Sequence, residues 1–236
     1  TDNPCVWAWR HTPPLPSLAA TWNTALRFVW ATGAEQALVI NNDLRLPRGL
    51  YESLLEALTL TGAWFLSATN VGEAWDDGML GHRQAITPDL LTSRGGPDFS
   101  CFLITKECHH WFQFDEQFIP AYHEDNDYHR RLQLAGCGGK IFGLPIPYLH
   151  YGSGTIKSNP SLRESWGPKF TACQEYYRQK WGGLPGSETY DLPFDGDQTS
   201  PLDTVYADKK WLYTGQGRPG HLVLSLEKRP WESDST

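Results

Sequence analysis

The sequence predicts an α/β domain with a mostly parallel central sheet flanked by helices. Three observations carry this. Short apolar runs alternate with segments of helical spacing as far as residue 69. Ala37–Asn41, ALVIN, is a continuous apolar run with a polar tip, the pattern of a strand buried on both faces. The resulting β-α-β-α-β order needs helical crossovers, and these bring each strand back in the same direction. The domain is expected over 1–195, with a partly irregular C-terminal extension over 196–236.

Taken in order, Cys5–Arg10 (CVWAWR) reads as a short strand and HTPPLP as a proline-locked connection. Ser17 caps a helix through about Thr32, with Leu18, Trp22, Ala25, Leu26 and Val29 at helical spacing, and Gly33 ends it. After ALVIN and Asn42-Asp43, a helix is expected from Pro47 to about Leu60, closed by Gly62. Ala63–Thr69 is the next strand. Asn70–Asp98 is a long Gly-rich loop, of a length that is more often functional than idle. Phe99–Thr105 is a strand, and Lys106–Phe112 a short helix. Lys140–Tyr151 is an extended segment whose two prolines predict an edge or bent strand. Pro168–Lys180 is a helix stopped by Gly182-Gly183. Past Leu184 only Leu222–Glu227 reads as a strand, and Glu232–Thr236 as a disordered end.

Composition bounds the function. With 236 residues, 40% hydrophobic and 20% charged, the chain is globular rather than disordered. A net charge of -7 argues against strong non-specific nucleic-acid binding. No apolar run is long enough to span a bilayer. The five cysteines are scattered, without a CxxC pair, and fit reduced, buried thiols in the cytoplasm. There are 11 Trp, 10 Tyr and 10 Phe; most belong in a core, and a carbohydrate site would use some of them.

Chemistry concentrates in Phe112–Gly136, FQFDEQFIPAYHEDNDYHRRLQLAG. Glu124 and Asp125 fall in the first turn of a helix, facing the exposed N–H groups. Asp127 and Arg131 pair at i,i+4 spacing. Tyr128, Leu132 and Ala135 form the buried stripe, and Gly136 ends the helix. A carboxylate at such a helix start can take a proton from an acceptor hydroxyl.

Three ordered segments resemble the inverting family 2 glycosyltransferases of the GT-A fold. LVINND at Leu38–Asp43 resembles the strand that ends in the family's DxD-type motif. FDEQF followed by EDNDYHRRLQLAG resembles its FDE and EDxDxxxR segment. HYGSGT at His150–Thr155 resembles the histidine loop that follows, and YYRQKWGG at Tyr176–Gly183 resembles the ending of several members. The resemblance spans about Ala37–Gly183. One departure is that only CVWAWRHTPPLP and one helix precede NND, so the family's opening unit, which grips the base, is short or missing.

The resemblance implies a nucleotide-sugar donor, UDP-linked, and a divalent cation, Mn²⁺ or Mg²⁺, that stabilises the leaving diphosphate. Asp43 is then the metal carboxylate and His150 a later metal ligand. Asn41 and Asn42 lie along the nucleotide, and Arg131 supports the cofactor. Asp125 is the general base for a single in-line displacement, with Glu124 its neighbour in the catalytic pair.

Each residue also has a plainer reading. Asp43 fits an Asx turn, and His150 fits a hydrogen-bonded structural histidine. Arg131 fits a helix-pairing residue, Trp181 a core ring and His109-His110 a structural pair. Asp115 and Glu116 either orient the acceptor loop or cap it. A non-catalytic sugar- or nucleotide-sugar-binding module is the second reading. A nucleotidyltransferase is the third, disfavoured because no Gly-rich phosphate loop with a lysine follows the first strand. Glycan, lipid-linked, protein and modified-base acceptors all remain open, as does the oligomeric state.

Overall fold

A computed structural model describes residues 15–81, 85–87, 90–91, 98–152 and 160–196. The strands expected at Cys5–Arg10 and Leu222–Glu227, and the extension past Gly196, lie outside these residues. The chain divides into two compact units, Thr1–Cys173 and Gln174–Thr236.

The first unit holds five strands: β1 (Gln36–Ile40), β2 (Leu44–Arg45), β3 (Phe65–Asn70), β4 (Cys101–Thr105) and β5 (Ile141–His150). Its helices are α1 (Leu18–Ala31), α2 (Leu50–Thr61), α3 (Lys106–Trp111) and α4 (Glu124–Leu134); α5 (Pro160–Trp181) begins in this unit and ends in the next. The sheet order is β1-β4-β3-β5-β2.

This sheet is mixed and mostly antiparallel, which corrects the expected parallel sheet. β1 and β3 each pair antiparallel with β4, β2 pairs antiparallel with β5, and β3–β5 is the parallel ladder. The physical reason lies in β4. β1 and β3 both oppose β4, so they run with each other, as a helical crossover requires; β5 runs with β3. The helix between β1 and β3 fixed their direction but not their adjacency. Among the described residues between β3 and β4 no α-helix forms a crossover, and β4 returns antiparallel and inserts between them. The carboxyl ends of β1, β3 and β5 therefore share one edge of the sheet with the start of β4.

Local signals explain the helices. The Ser17 side chain accepts from the Ala20 N–H and caps α1. Gly62 and Gly136 adopt left-handed φ of 60° and 74° past α2 and α4, where a side chain would be strained. α2 starts at Leu50, later than expected, because Gly49 rather than Pro47 takes the cap position. Pro47 instead follows β2, a two-residue strand with no periodicity to announce it. α5 starts at Pro160 and carries Pro168 inside it, whereas the sequence reading began at Pro168.

Alternation along the strands builds two chemically distinct cores. Leu66, Ala68, Cys101, Leu103 and Leu144 face α2 through Leu54 and Ala57 in an aliphatic layer. Phe65 and Phe102 point the other way and stack at 4.8 Å. There they meet Trp22 of α1 (5.5 Å from Phe102), while Tyr128 of α4 stacks on Phe114 at 4.3 Å. Burying each such ring contributes roughly 1.5–3 kcal/mol, so much of the aromatic content is spent here. Asn23, polar and fully buried in α1, keys this layer: it donates to the Phe114 carbonyl and Glu116, and accepts from the Phe114 N–H. The four described cysteines (Cys101, Cys108, Cys137, Cys173) are free and buried. Among the described residues no helix is long and apolar enough to cross a membrane.

In the second unit, the last turns of α5 meet a tight return. Gly182 has φ 71°, and both Thr189 and Tyr190 N–H groups donate to the Trp181 carbonyl. A Cβ on Gly183 would lie 2.0 Å from the Ser187 carbonyl oxygen, so the KWGG ending is a close backbone approach. The Tyr177 hydroxyl donates to Glu188 at 2.6 Å. Trp181 is fully buried, in keeping with its reading as a core ring.

Candidate functional site

The shared sheet edge collects most of the sequence-selected residues. β1 ends at Ile40, and Asn41 donates its N–H to the Ser100 carbonyl at 2.9 Å. Asn42 is exposed and Asn41 and Asp43 are half-buried. The β2–β5 ladder places Leu44 opposite His150, and the Tyr151 N–H donates to the Asp43 carbonyl. These backbone bonds bring Asp43 Oδ1 to 3.2 Å from His150 Nε2. The two residues are far apart in the sequence and are brought together by the pairing of β2 with the end of β5. Its pairing with β3 shifts register between Ser67 and Thr69, opposite Gly143 and Pro147. Ser153, Gly154 and Thr155 of the histidine loop lie outside the described residues.

Sequence reasoning missed three supports of this edge. Asn70, the polar tip of β3, accepts from the His150 N–H at 3.1 Å and from the Gly72 N–H. Asp98 accepts from the Ser100 N–H and hydroxyl at 2.8 and 2.6 Å. The Tyr148 hydroxyl lies 2.5 Å from Ser100 Oγ, and burial, with Asp98 nearby, pushes its pKa up. A polar residue after an apolar strand signals Asn70, as it does Asn41. Asp-x-Ser ahead of an apolar run signals the Asp98 turn.

Asp125 and Glu124 stand at the N-terminus of α4. Two consecutive non-glycine residues with left-handed backbone, Tyr122 (φ 82°) and His123 (φ 70°), lead into it. Such strain is rare and concentrates at functional sites. Asp125 is half-buried; burial raises its pKa, the Asn126 N–H and His123 oppose that, and the negative charge of Asp98 adds to it. Asp98, in the Ser100 turn, is therefore near enough for its charge to be felt at Asp125. Glu124 is 4% exposed, and burial with the neighbouring Asp125 charge pushes its pKa up to about 8. Burial also lowers the pKa of His123.

Arg131 lies elsewhere. It is fully buried, with Nε on Asp127 Oδ2 at 2.8 Å and Nη2 on the Gln113 carbonyl at 2.8 Å. It offers no surface to a cofactor, and the helix-pairing reading describes its place. His109 joins the scaffold too. Its Nδ1 accepts from Trp30 Nε1, so its Nε2 carries the hydrogen toward Asn23 Oδ1, a neutral tautomer fixed by the donor-only indole. Asp115 accepts from the Gln117 N–H in a turn, and Glu116 pairs with Asn23 and Arg27. An open cavity of about 440 Å³ lies at the opposite end of the sheet, by Trp30, Glu35, Lys106 and His109, away from these acids.

Among the described residues no three His, Cys, Asp or Glu side chains are grouped to hold a metal ion. Asp43 and His150 form a two-member donor set. A carboxylate with an imidazole suits Mn²⁺ better than Mg²⁺, with water or diphosphate oxygens completing the shell. No family model matches this chain, and no curated protein matches it.

Proposed function

We propose that the chain is a metal-dependent inverting glycosyltransferase of the GT-A type, similar to family 2, that moves a sugar from a UDP-linked donor to an acceptor hydroxyl. The supporting observation is the shared edge: the Asp43 and His150 side chains stand 3.2 Å apart there, beside Asn41, whose N–H is held by the Ser100 carbonyl. Ligands of open α/β sheets gather at the carboxyl ends of strands, and this edge is built from three such ends.

In this reading Asp125 takes the acceptor proton as the acceptor oxygen attacks the anomeric carbon. The bond from that carbon to the phosphate oxygen breaks, and its electron pair leaves with the diphosphate. A raised carboxyl pKa brings Asp125 closer to the optimum for a base at neutral pH. The metal, held by Asp43 and His150, would neutralise charge on the leaving diphosphate. Asn41 and Asn42 line the approach to it. The buried free thiols fit a reducing compartment, the cytoplasm.

The test is a thermal-shift panel of UDP, GDP, dTDP and CDP, each with and without Mn²⁺. A ligand bound only by the folded state raises its apparent stability. A Mn²⁺-dependent shift with UDP is expected. No shift with any nucleotide overturns the reading in favour of a non-catalytic sugar-binding module.

A further inference from the structure

The turn ahead of α4 holds polar atoms that the chain leaves without a partner. Glu124 is 4% exposed, and its Oε2 is buried with no hydrogen bond. The Glu124 and Tyr122 N–H groups serve the carboxyl through its other oxygen. Trp166 Nε1, from the first half of α5, is likewise buried and unbonded. A buried polar group without a partner is costly and rare, so two around one turn mark a place where the chain leaves bonding capacity for another molecule.

Three half-buried rings surround this turn. Tyr122 meets Trp166 at 5.6 Å and 83°, and Phe170 at 5.3 Å and 80°. Phe170 also packs on His123 at 5.6 Å. Trp166, Phe170 and Cys173 follow at i, i+4 and i+7 on one face of α5, and the Cys173 thiol donates to the Ile119 carbonyl. Glu124 lies close enough to the end of this stripe for its charge to raise the Cys173 pKa.

We propose that these residues form the acceptor subsite, and that the acceptor is a carbohydrate. Its apolar faces lie on Tyr122, Trp166 and Phe170, and its hydroxyls bond Glu124 Oε2 and Trp166 Nε1. The proposal rests on the transferase reading only in calling the sugar an acceptor.

The chemistry discriminates among acceptor classes. A sugar ring has an apolar face and a rim of hydroxyls that both donate and accept. It therefore matches aromatic walls with a carboxyl and an indole donor, the pattern of a small-molecule site. A nucleobase favours parallel rings to slide between, and these stand nearly perpendicular. A lipid chain has no use for the carboxyl. The subsite also lies at the helix start that carries Asp125, so a hydroxyl bound here is presented to the base.

Both polar atoms are shielded, so binding here requires the first turns of α5 to move aside. Pro168 lacks the N–H that would bond the Glu164 carbonyl, which leaves that turn weak.

The experiment is saturation-transfer NMR on the full chain. The probes are methyl β-glucoside, methyl α-mannoside and methyl β-N-acetylglucosaminide, beside a serine peptide and 5-hydroxymethyl-2′-deoxycytidine. At least one glycoside is expected to bind. Trp166→Phe, which keeps a ring and removes the donor, and Glu124→Leu, which removes both carboxyl oxygens, should each weaken it about tenfold, the value of one good hydrogen bond. The metal-dependent UDP shift should be unchanged in both. Binding of the peptide or nucleoside without any glycoside overturns the proposal, as does glycoside binding untouched by both substitutions. UDP binding with no glycoside overturns the subsite and leaves the transferase reading standing. Glycoside binding with no UDP supports the subsite and removes the transferase.

Discussion

Along α4, Asp127 and Glu124 are both buried, yet only Asp127 sits against an arginine. Asp127 and Arg131 face each other with no exposed side-chain surface, and the guanidinium also bonds the Gln113 carbonyl and lies 5.3 Å from the centre of the Tyr128 ring. The cost of removing both charges from water is offset by their attraction and these added contacts. One turn earlier Glu124 has no cation, and its pKa rises instead. The difference teaches how to sort acids in one short segment. A buried acid with an arginine fixes the helix to its surroundings. Glu124, buried without one, takes up a proton instead.

The largest expected effect falls on the unpaired acids. Asp125→Asn should lower sugar transfer by about 10²–10⁴-fold, the usual share of a general base. Stability should move by less than about 0.5 kcal/mol, because no buried partner is stranded. Transfer rates measured beside urea unfolding check this. Unchanged turnover would put Asp125 with the scaffold and erase the contrast.

The reverse holds for the pair. Arg131→Met should cost about 3–5 kcal/mol of stability, because Asp127 is left as a buried uncompensated charge. Adding Asp127→Leu should recover much of that loss. Urea midpoints of the single and double variants decide it. An Arg131→Met protein of normal stability would mean that the pair does not hold the helix.

How much of this was legible follows from distance along the chain. Asp127–Arg131, the Ser17 cap and the Tyr128–Leu132 stripe are contacts within two turns, and spacing alone reveals them. The fate of Glu124 and Asp125 was not, because both fit a helix start, and which of them is buried depends on packing from outside the helix. The α1 stripe of apolar residues was largely right, but it passed over Asn23, whose partners Phe114 and His109 arrive from another segment. Strand direction followed from the helix between β1 and β3. Strand neighbours did not, since β4 enters from a later stretch. The Asp43–His150 pairing entered the sequence reading through resemblance; the β2–β5 ladder that produces it has no local signature.

Glu124 sharpens the comparison through pH. Its pKa is about 8 in the folded chain, against an ordinary 4.5. Between those values the folded state holds the proton more tightly than the unfolded one. Its contribution to stability is therefore full below pH 4.5 and is lost as pH rises through about 8, by at most about 1.4 kcal/mol per pH unit. Glu124→Gln should flatten the fall between pH 5 and 8 and raise stability at the upper end. Urea unfolding across the pH range checks this, and an unchanged slope in Glu124→Gln would place the titration elsewhere.

The smallest stability effect belongs to the Asp43–His150 pair, and its smallness is informative. Both side chains keep solvent contact, 26% and 20%, so their mutual attraction is screened and contributes only about 0–1 kcal/mol. His150→Ala should leave the unfolding midpoint nearly unchanged and weaken the Mn²⁺ dependence of UDP binding severalfold, with Asp43→Ala removing it. A pair that contributes so little to stability has no structural reason to be held together by the β2–β5 ladder and the Asn70 side chain. If His150→Ala instead lowers stability by several kcal/mol and leaves the Mn²⁺ dependence intact, the pair is scaffold like Asp127–Arg131, and the proposed metal site at the sheet edge falls.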